Sequence, residues 1–370
     1  MNKNETKVRE PYFHIVKRTS IPWWKAWTIR VLAVVAALIV CGVITVLLTG
    51  EDPIQVYVTM FEGSFGTKRR VWGMVQNLAM LLCVSLAVTP AFKMKFWNIG
   101  AEGQVLIGAL ATAACMIKLG DVLPVPALFA VMIASSILCA GIWAVIPAYC
   151  RAKWNTNETL FTLMMNYIAI QLVSYFTYLW SVPKGSGQIG VINSATQAGW
   201  LPALFGQKYL ANILIVAVLT VLMYIYLNYS KHGYEIQIVG ESENTARYIG
   251  LNIKKVIVRT MLLSGALCGV AGLLLVSGAD HTLTRELAGG RGFTAIMVAW
   301  LAKFNPFYMV LTSFLIVFLE KGAIEISTIF GLNNSFSDIL TGIIIFFIIG
   351  SEFFVNYSIK FREKTKEGAK

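Results

Sequence analysis

An amide, a carboxylate and a second amide stand close together at Asn98, Glu102 and Gln104, within the run Phe96-Trp-Asn-Ile-Gly-Ala-Glu-Gly-Gln104. Apolar runs flank it, Met80 to Phe92 before and Val105 to Ile117 after. A carboxylate at the centre of a bilayer costs about 2.5–3.5 kcal/mol on insertion scales, so it faces protein or a water-filled cavity and marks a pathway. Gly100 and Gly103 let the backbone bend and a neighbouring helix come close. The other use of such a segment is a polar connector between two spanning helices. Asn166 and Gln171 add two amides to a later apolar run. They lie five positions and roughly 140° apart around a helix, so they cannot both point at one cavity. Hydrogen bonding between helices and contact with a solute are the two roles open to them.

Other chemistry is sparse. Cys41, Cys83, Cys115, Cys139, Cys150 and Cys268 are scattered and unpaired in pattern, as free thiols acting as small hydrophobes would be. His14, His232 and His281 lack the spacing of zinc ligands, so no metal site is expected. No G-x-x-x-x-G-K-[ST] loop occurs, so this chain does not itself hydrolyse ATP by that route. Asp280, His281, Arg285, Glu286 and Arg291 cluster in one segment. Mutually paired surface charges account for them, and a gating or substrate role is the alternative. No catalytic residue is assigned.

The elements that must position these residues are membrane helices. Of 370 residues 57% are hydrophobic and 14% charged, with a mean hydropathy of +0.67. A soluble protein carries about 25% charged residues. Apolar runs of spanning length predict an all-α polytopic integral membrane protein of about ten transmembrane helices, some broken or re-entrant. The spans fall near 28–49, 71–91, 103–118, 125–148, 159–180, 210–229, 257–277, 292–302, 306–320 and 336–354. The run at 292–302 is too short for a full crossing, and Asn305-Pro306 breaks the helix after it. With the N-terminus inside, ten spans place 22 of the 31 Lys and Arg residues on the cytoplasmic side. That distribution obeys the positive-inside rule and accounts for the net +12 without nucleic acid. The organisation is a cytoplasmic head at 1–27, a transmembrane domain at 28–354 and a cytoplasmic basic tail at 355–370. The first span reads as a retained helix rather than a signal peptide, with Trp23, Trp24, Trp27, Lys25 and Arg30 as headgroup anchors. Head and tail suit anionic lipid.

The longest inner loop, about 230–256, holds Gly240-Glu-Ser-Glu-Asn-Thr-Ala-Arg-Tyr-Ile-Gly250. Asn244 or Thr245 can cap a short helix that Gly250 closes in the left-handed conformation. Ala246 and Ile249 share its apolar face, and Glu243 and Arg247 project polar groups. Such a helix suits docking to another protein, or it simply rests on headgroups. Asn155-Thr-Asn-Glu158 reads as a capping box that starts the following helix. The outer loop 181–209, with Gly185, Gly187, Gly190, Gly199 and Trp200, is long enough to be functional.

The run 96–104 resembles the signature of ATP-binding-cassette importer permeases of the branched-chain amino acid, ribose and nucleoside class, closest to the nucleoside and simple-sugar branch. Three stretches agree in order: 157–167, 240–250, and 292–301 followed by Asn305-Pro306. The resemblance covers about 50–355. Thr245 stands where a second alanine is usual, and Lys303 at a position commonly small or polar. The resemblance implies a homodimer or heterodimer of permeases in a bacterial inner or plasma membrane, with both termini cytoplasmic. Two cytoplasmic ATPase subunits, which carry the ATP and magnesium, and an extracytoplasmic substrate-binding lipoprotein complete the assembly. Gly240, Glu241, Asn244, Ala246, Arg247, Tyr248 and Gly250 would couple to the ATPase. Asn98, Glu102, Gln104, Asn166 and Gln171 would lie on or beside the path. Lys93 and Lys95 place the signature toward the inner side, which favours packing or gating over direct substrate contact. Gln76, Asn77, Asn166, Gln171 and the aromatic residues suit a nucleoside first and a simple sugar second. Two rivals remain open. An ion-coupled carrier would use Glu102, Asp338 or Glu352, and a membrane enzyme would use Asp280, His281 and Glu286.

Overall fold

The computed structural model describes residues 13–18, 21–50, 52–184 and 186–361. Lys3, Lys7 and Arg9 of the basic head, Arg362, Lys364, Lys366 and Lys370 of the tail, and Gly185 lie outside the described residues. In chain order a strand β1 (Phe13–Lys17) precedes α1 (Trp23–Thr49), α2 (Pro53–Phe65), α3 (Lys68–Lys93), α4 (Ala101–Leu119) and α5 (Val125–Trp154). Then come α6 (Glu158–Leu179), α7 (Leu210–Tyr229), α8 (Lys231–Glu241), α9 (Glu243–Tyr248) and α10 (Ile253–Leu275), which runs on into a π-helical turn at Val276–Asp280. The last elements are α11 (Arg291–Leu301), α12 (Pro306–Ile329), α13 (Asn334–Asn356) and β2 (Tyr357–Phe361).

Among the described residues nine helices are long and apolar enough to cross a bilayer, and α11 is not. At 1.5 Å per residue α11 covers only about 16 Å. Its approach, 281–290, is non-helical but lined by buried Leu283, Leu287 and Ala288. Approach and helix together make one broken crossing. β1 and β2 pair antiparallel, with His14 opposite Lys360 and Ile15 opposite Ile359.

The chain divides into two compact units, residues 1–63 with 319–370 and residues 64–318. In the first, α1 packs against α13, and Arg30 bridges to Glu352 at 2.6 Å. Trp24 and Trp27 sit in the first turns of α1 rather than in a preceding head, with Lys25 and Arg30 over their rings. In the second unit α10 is the hub, with α5, α4 and α3 against it. The contact is close because both sides are bare. A Cβ on Gly265 would lie 2.5 Å from the Ala140 carbonyl oxygen of α5, and one on Gly108 of α4 would lie 2.6 Å from the Gly269 Cα. Small residues let spanning helices approach where lipid supplies no hydrophobic drive. All six cysteines are free, although Cys139 is exposed rather than buried.

Two capping expectations shift. Asn155 is the left-handed C-cap of α5, and Asn157 is the N-cap of α6, accepting from the Leu160 amide at 3.1 Å. α9 is capped by Ser242, not by Asn244 or Thr245, because Ser242 alone has the extended backbone an N-cap needs. Gly250 does take the left-handed conformation, with φ +82°.

Candidate functional site: a junction of broken helices

α3 ends in a tight reversal. The Phe96 amide donates to the Ala91 carbonyl at 2.9 Å with Lys95 at φ +60°, the six-to-one bond of a Schellman ending. The chain then re-enters α4, whose first amides have no partner inside the helix. Polar side chains of the signature and its neighbours supply them. Asn98 Oδ1 accepts from the Gly100 amide at 3.1 Å and from Gln104 Nε2 at 3.1 Å. Asn98 Nδ2 donates to Gln104 Oε1 and to Ser264 Oγ of α10 at 3.2 Å. Asn166 of α6 accepts from the Gly103 amide at 2.8 Å and donates to the Ile99 carbonyl at 2.9 Å. A Cβ on Gly103 would meet the Asn166 backbone at 3.0 Å, so glycine is required for that approach.

Glu102 points the other way. Its two carboxylate oxygens accept from the Gly290 and Gly292 amides, each at 2.7 Å. These are free donors at the start of α11, where the helix dipole favours negative charge. Arg291 between them donates to the Leu287 and Ala288 carbonyls and to Asn77 Oδ1 of α3 at 2.9 Å. The expected surface charge cluster is therefore split: Arg285 and Glu286 pair at the surface, while Arg291 turns inward. His281 is buried and stacked on Trp200 of the loop 181–209, with centroids 3.8 Å apart.

Asn98, Glu102, Gln104 and Asn166 are thus brought together, all buried. Gln171 is not, since it lies on the exposed face of α6. Gln76 is buried, and Asn77 is engaged by Arg291. Ser264, Thr162, whose hydroxyl accepts from the Ile99 amide at 3.2 Å, and the 289–292 backbone belong to the junction and were not singled out by sequence reasoning. The bare run Gly289-Gly290-Arg291-Gly292 is the signal that could have flagged the last of these.

The segment 230–252 touches the same junction. Ala246, Ile236 and Val239 share a buried cluster with Met94 and Phe96. A Cβ on Gly240 would run into the Lys93 carbonyl oxygen. Glu235 of α8 pairs with Arg259 of α10 at 2.6 Å, and that hydrogen bond holds its carboxyl below the ordinary range. Ile249 does not share the buried face of Ala246; it follows α9 and is 50% exposed, beside Tyr248 at 92%. Arg247 is exposed and ion-paired with Glu243 at 3.8 Å.

Residues 72–349 match the family model described as the permease component of the branched-chain amino acid transport system. The chain belongs to that permease family. It is 30% identical to the glucose ABC transporter permease protein TsgB13 of Haloferax volcanii, over 92% of each chain. It is 29% identical to the guanosine ABC transporter permease protein NupP of Bacillus subtilis, over 86% of this chain and 91% of that one. It is 26% identical to the nucleoside ABC transporter permease protein NupB of Lactococcus lactis, over 83% and 86%. The protein is a multi-pass membrane permease, the transport subunit of an ABC importer, and such a subunit works with an ATPase and a substrate-binding protein. The geometry bears on the carrier alternative as well. Glu102 is engaged by a helix terminus and Glu352 by Arg30, so neither is a free carboxylate awaiting an ion.

Proposed function

We propose that this permease carries a nucleoside or a simple sugar inward, with the 240–250 segment receiving the stroke of a separate ATPase. One observation supports the coupling most directly: Gly240 lies flush on the Lys93 carbonyl, so α8 and α9 join the signature without an intervening side chain. Ala246 is the buried root of α9, whereas Arg247 and Tyr248 project outward. We assign the docking surface to Arg247, Tyr248 and Ile249. Glu241 and Asn244 flank it, and Gly240 and Gly250 shape its two ends. Asn98, Glu102, Gln104 and Asn166 act beside the path as the frame that turns motion of the inner loop into motion of α4, α6 and α11. ATP and magnesium reside on the partner chain, and this chain performs no catalysis. The segment 230–256 and both termini face the cytoplasm of a bacterial cell, and a second permease subunit and a substrate-binding lipoprotein complete the transporter.

The neutral amides of the junction and the cargo for which the relatives are named, glucose, guanosine and nucleosides, support a nucleoside or sugar over a charged solute. Uptake of radiolabelled guanosine and glucose by cells with and without the gene tests the cargo. Loss of one uptake in the deletion strain is expected. Unchanged uptake of both overturns the cargo assignment.

A further inference from the structure

α6 carries a stripe that a lipid-facing helix has no use for. Its buried face, with Thr162, Met165, Asn166, Ala169, Val173 and Thr177, packs on α4 and α5. On its opposite face Met164, Tyr167, Gln171, Tyr175 and Tyr178 recur at intervals of three and four, with exposed Ile168 among them, so they share one side. The three tyrosines are 59–64% exposed. At the same depth α7 turns out Leu214, Val218, Val221 and Leu222, the aliphatic surface that hydrocarbon prefers.

Depth separates the residues of the stripe. Tyr175 and Tyr178 lie near the outer end of α6, where tyrosine serves a headgroup interface. Tyr167 and Gln171 lie about 14 and 20 Å along the helix, in the middle of a hydrocarbon layer about 30 Å thick. The Gln171 amide makes no hydrogen bond with any described residue. An amide there, two donors and an acceptor, demands water, solute or protein.

We propose that the Tyr167–Gln171 face of α6 lines the water-filled path and takes the cargo in transit. The ring offers a surface for the flat face of a nucleobase or a pyranose, and the amide pairs with the polar edge of the same solute. This rests on the importer assignment above and adds a site to it. Neutral side chains suit a neutral solute that must leave as readily as it enters. The junction places this face, because Asn166, one position before Tyr167, grips the Ile99 carbonyl and the Gly103 amide from the other side of the helix. A shift of the signature therefore moves the stripe.

The test compares Gln171→Cys with Val218→Cys in membrane vesicles holding the complete transporter, using a charged methanethiosulfonate and subtracting the label taken by the native cysteines. Co-purification of the ATPase and of the second permease subunit reports assembly. Gln171→Cys is expected to react at least tenfold faster than Val218→Cys and to be protected when guanosine or glucose is being transported. Which of the two protects identifies the cargo class. Reaction no faster than at Val218→Cys overturns the proposal, because the face then meets lipid. Loss of the second permease subunit in Gln171→Cys also overturns it, because the face is then a contact between permeases. A wild-type transporter that moves neither solute defeats the cargo assignment instead, a result visible before any cysteine is introduced.

Discussion

Replacing Glu102 with Gln tests the central contact of the junction. Each carboxylate oxygen accepts one backbone amide at 2.7 Å, from Gly290 and Gly292, in a buried site. Glutamine keeps one acceptor and turns an NH2 group toward the other amide. One charge-assisted bond, worth about 1.5–3 kcal/mol, is lost, and one buried donor is left unsatisfied at about 1–3 kcal/mol. Partial relaxation brings the expected loss to about 2–3 kcal/mol, which opens the start of α11 roughly 30- to 140-fold more often. Glu102→Ala orphans both amides, at about 1–3 kcal/mol each, and costs about 2–6 kcal/mol. Hydrogen exchange of the peptide 287–300 in the purified complex reads this directly, with 214–222 of α7 as the internal control. Faster exchange confined to the first peptide is expected, and residual uptake remains ATP-dependent. Exchange at 287–300 unchanged in Glu102→Gln refutes the clamp. Uptake that ignores ATP but fails without a proton gradient returns Glu102 to the role of a carrier carboxylate.

The remaining predictions concern the segment 230–256. Gly240→Val drives a branched side chain into the Lys93 carbonyl; uptake is expected to fall at least tenfold, whereas Tyr234→Ala, on the exposed side of α8, leaves it within twofold. Both are read as transport per assembled permease. The Glu235–Arg259 pair carries a pH signature. A carboxyl depressed in the fold stabilises it fully above the ordinary carboxylate pKa of about 4.3 and stops doing so as pH falls through its lowered folded value. Proteolysis of the 230–252 segment is therefore expected to quicken as pH drops below that range, and Glu235→Gln is expected to be cleaved fast at every pH. A variant that keeps the wild-type pH profile overturns the assignment.

Legibility in the sequence followed the range of the forces involved. The spans were readable because a bilayer demands long apolar runs, and α7 falls at 210–229 as expected. α2 was missed: its 13 residues are too few to cross and carry Gln55, Thr59 and Glu62, so no window turns apolar. The β1–β2 ribbon was missed because each strand is five residues long and its partner lies at the far end of the chain. The angle between Asn166 and Gln171 was legible from helical period alone, and the two do lie on different faces. What Glu102 holds was not legible. Its partners are backbone amides 188 and 190 positions away, and backbone has no letter in a sequence.

The two breaks in the permease are built alike, which bears on how a push travels. Ala91-Phe-Lys-Met-Lys-Phe96 and Ala299-Trp-Leu-Ala-Lys-Phe304 share alanine, an aromatic, lysine and phenylalanine in register. Each closes with a phenylalanine amide on the alanine carbonyl at 2.9 Å and a lysine at positive φ. Their aromatic rings interlock: Trp97 lies 5.4 Å from Trp300, and Phe92 lies 5.8 and 6.5 Å from the two. Glu102 ties the far end of α11 to the helix that leaves the first turn, so α11 is held at both ends. A short helix held at both ends and packed on α3 has no slack in which to bend. Under the proposed coupling, pressure on Tyr248 and Arg247 reaches Lys93 through Gly240 and then moves both turns as one block. Alternate access in this permease would then come from movement of that block as a unit and not from unwinding of either break. Cross-linking Trp97→Cys to Trp300→Cys should leave ATP-driven uptake intact if the block is rigid, and should stop it if the two turns must part.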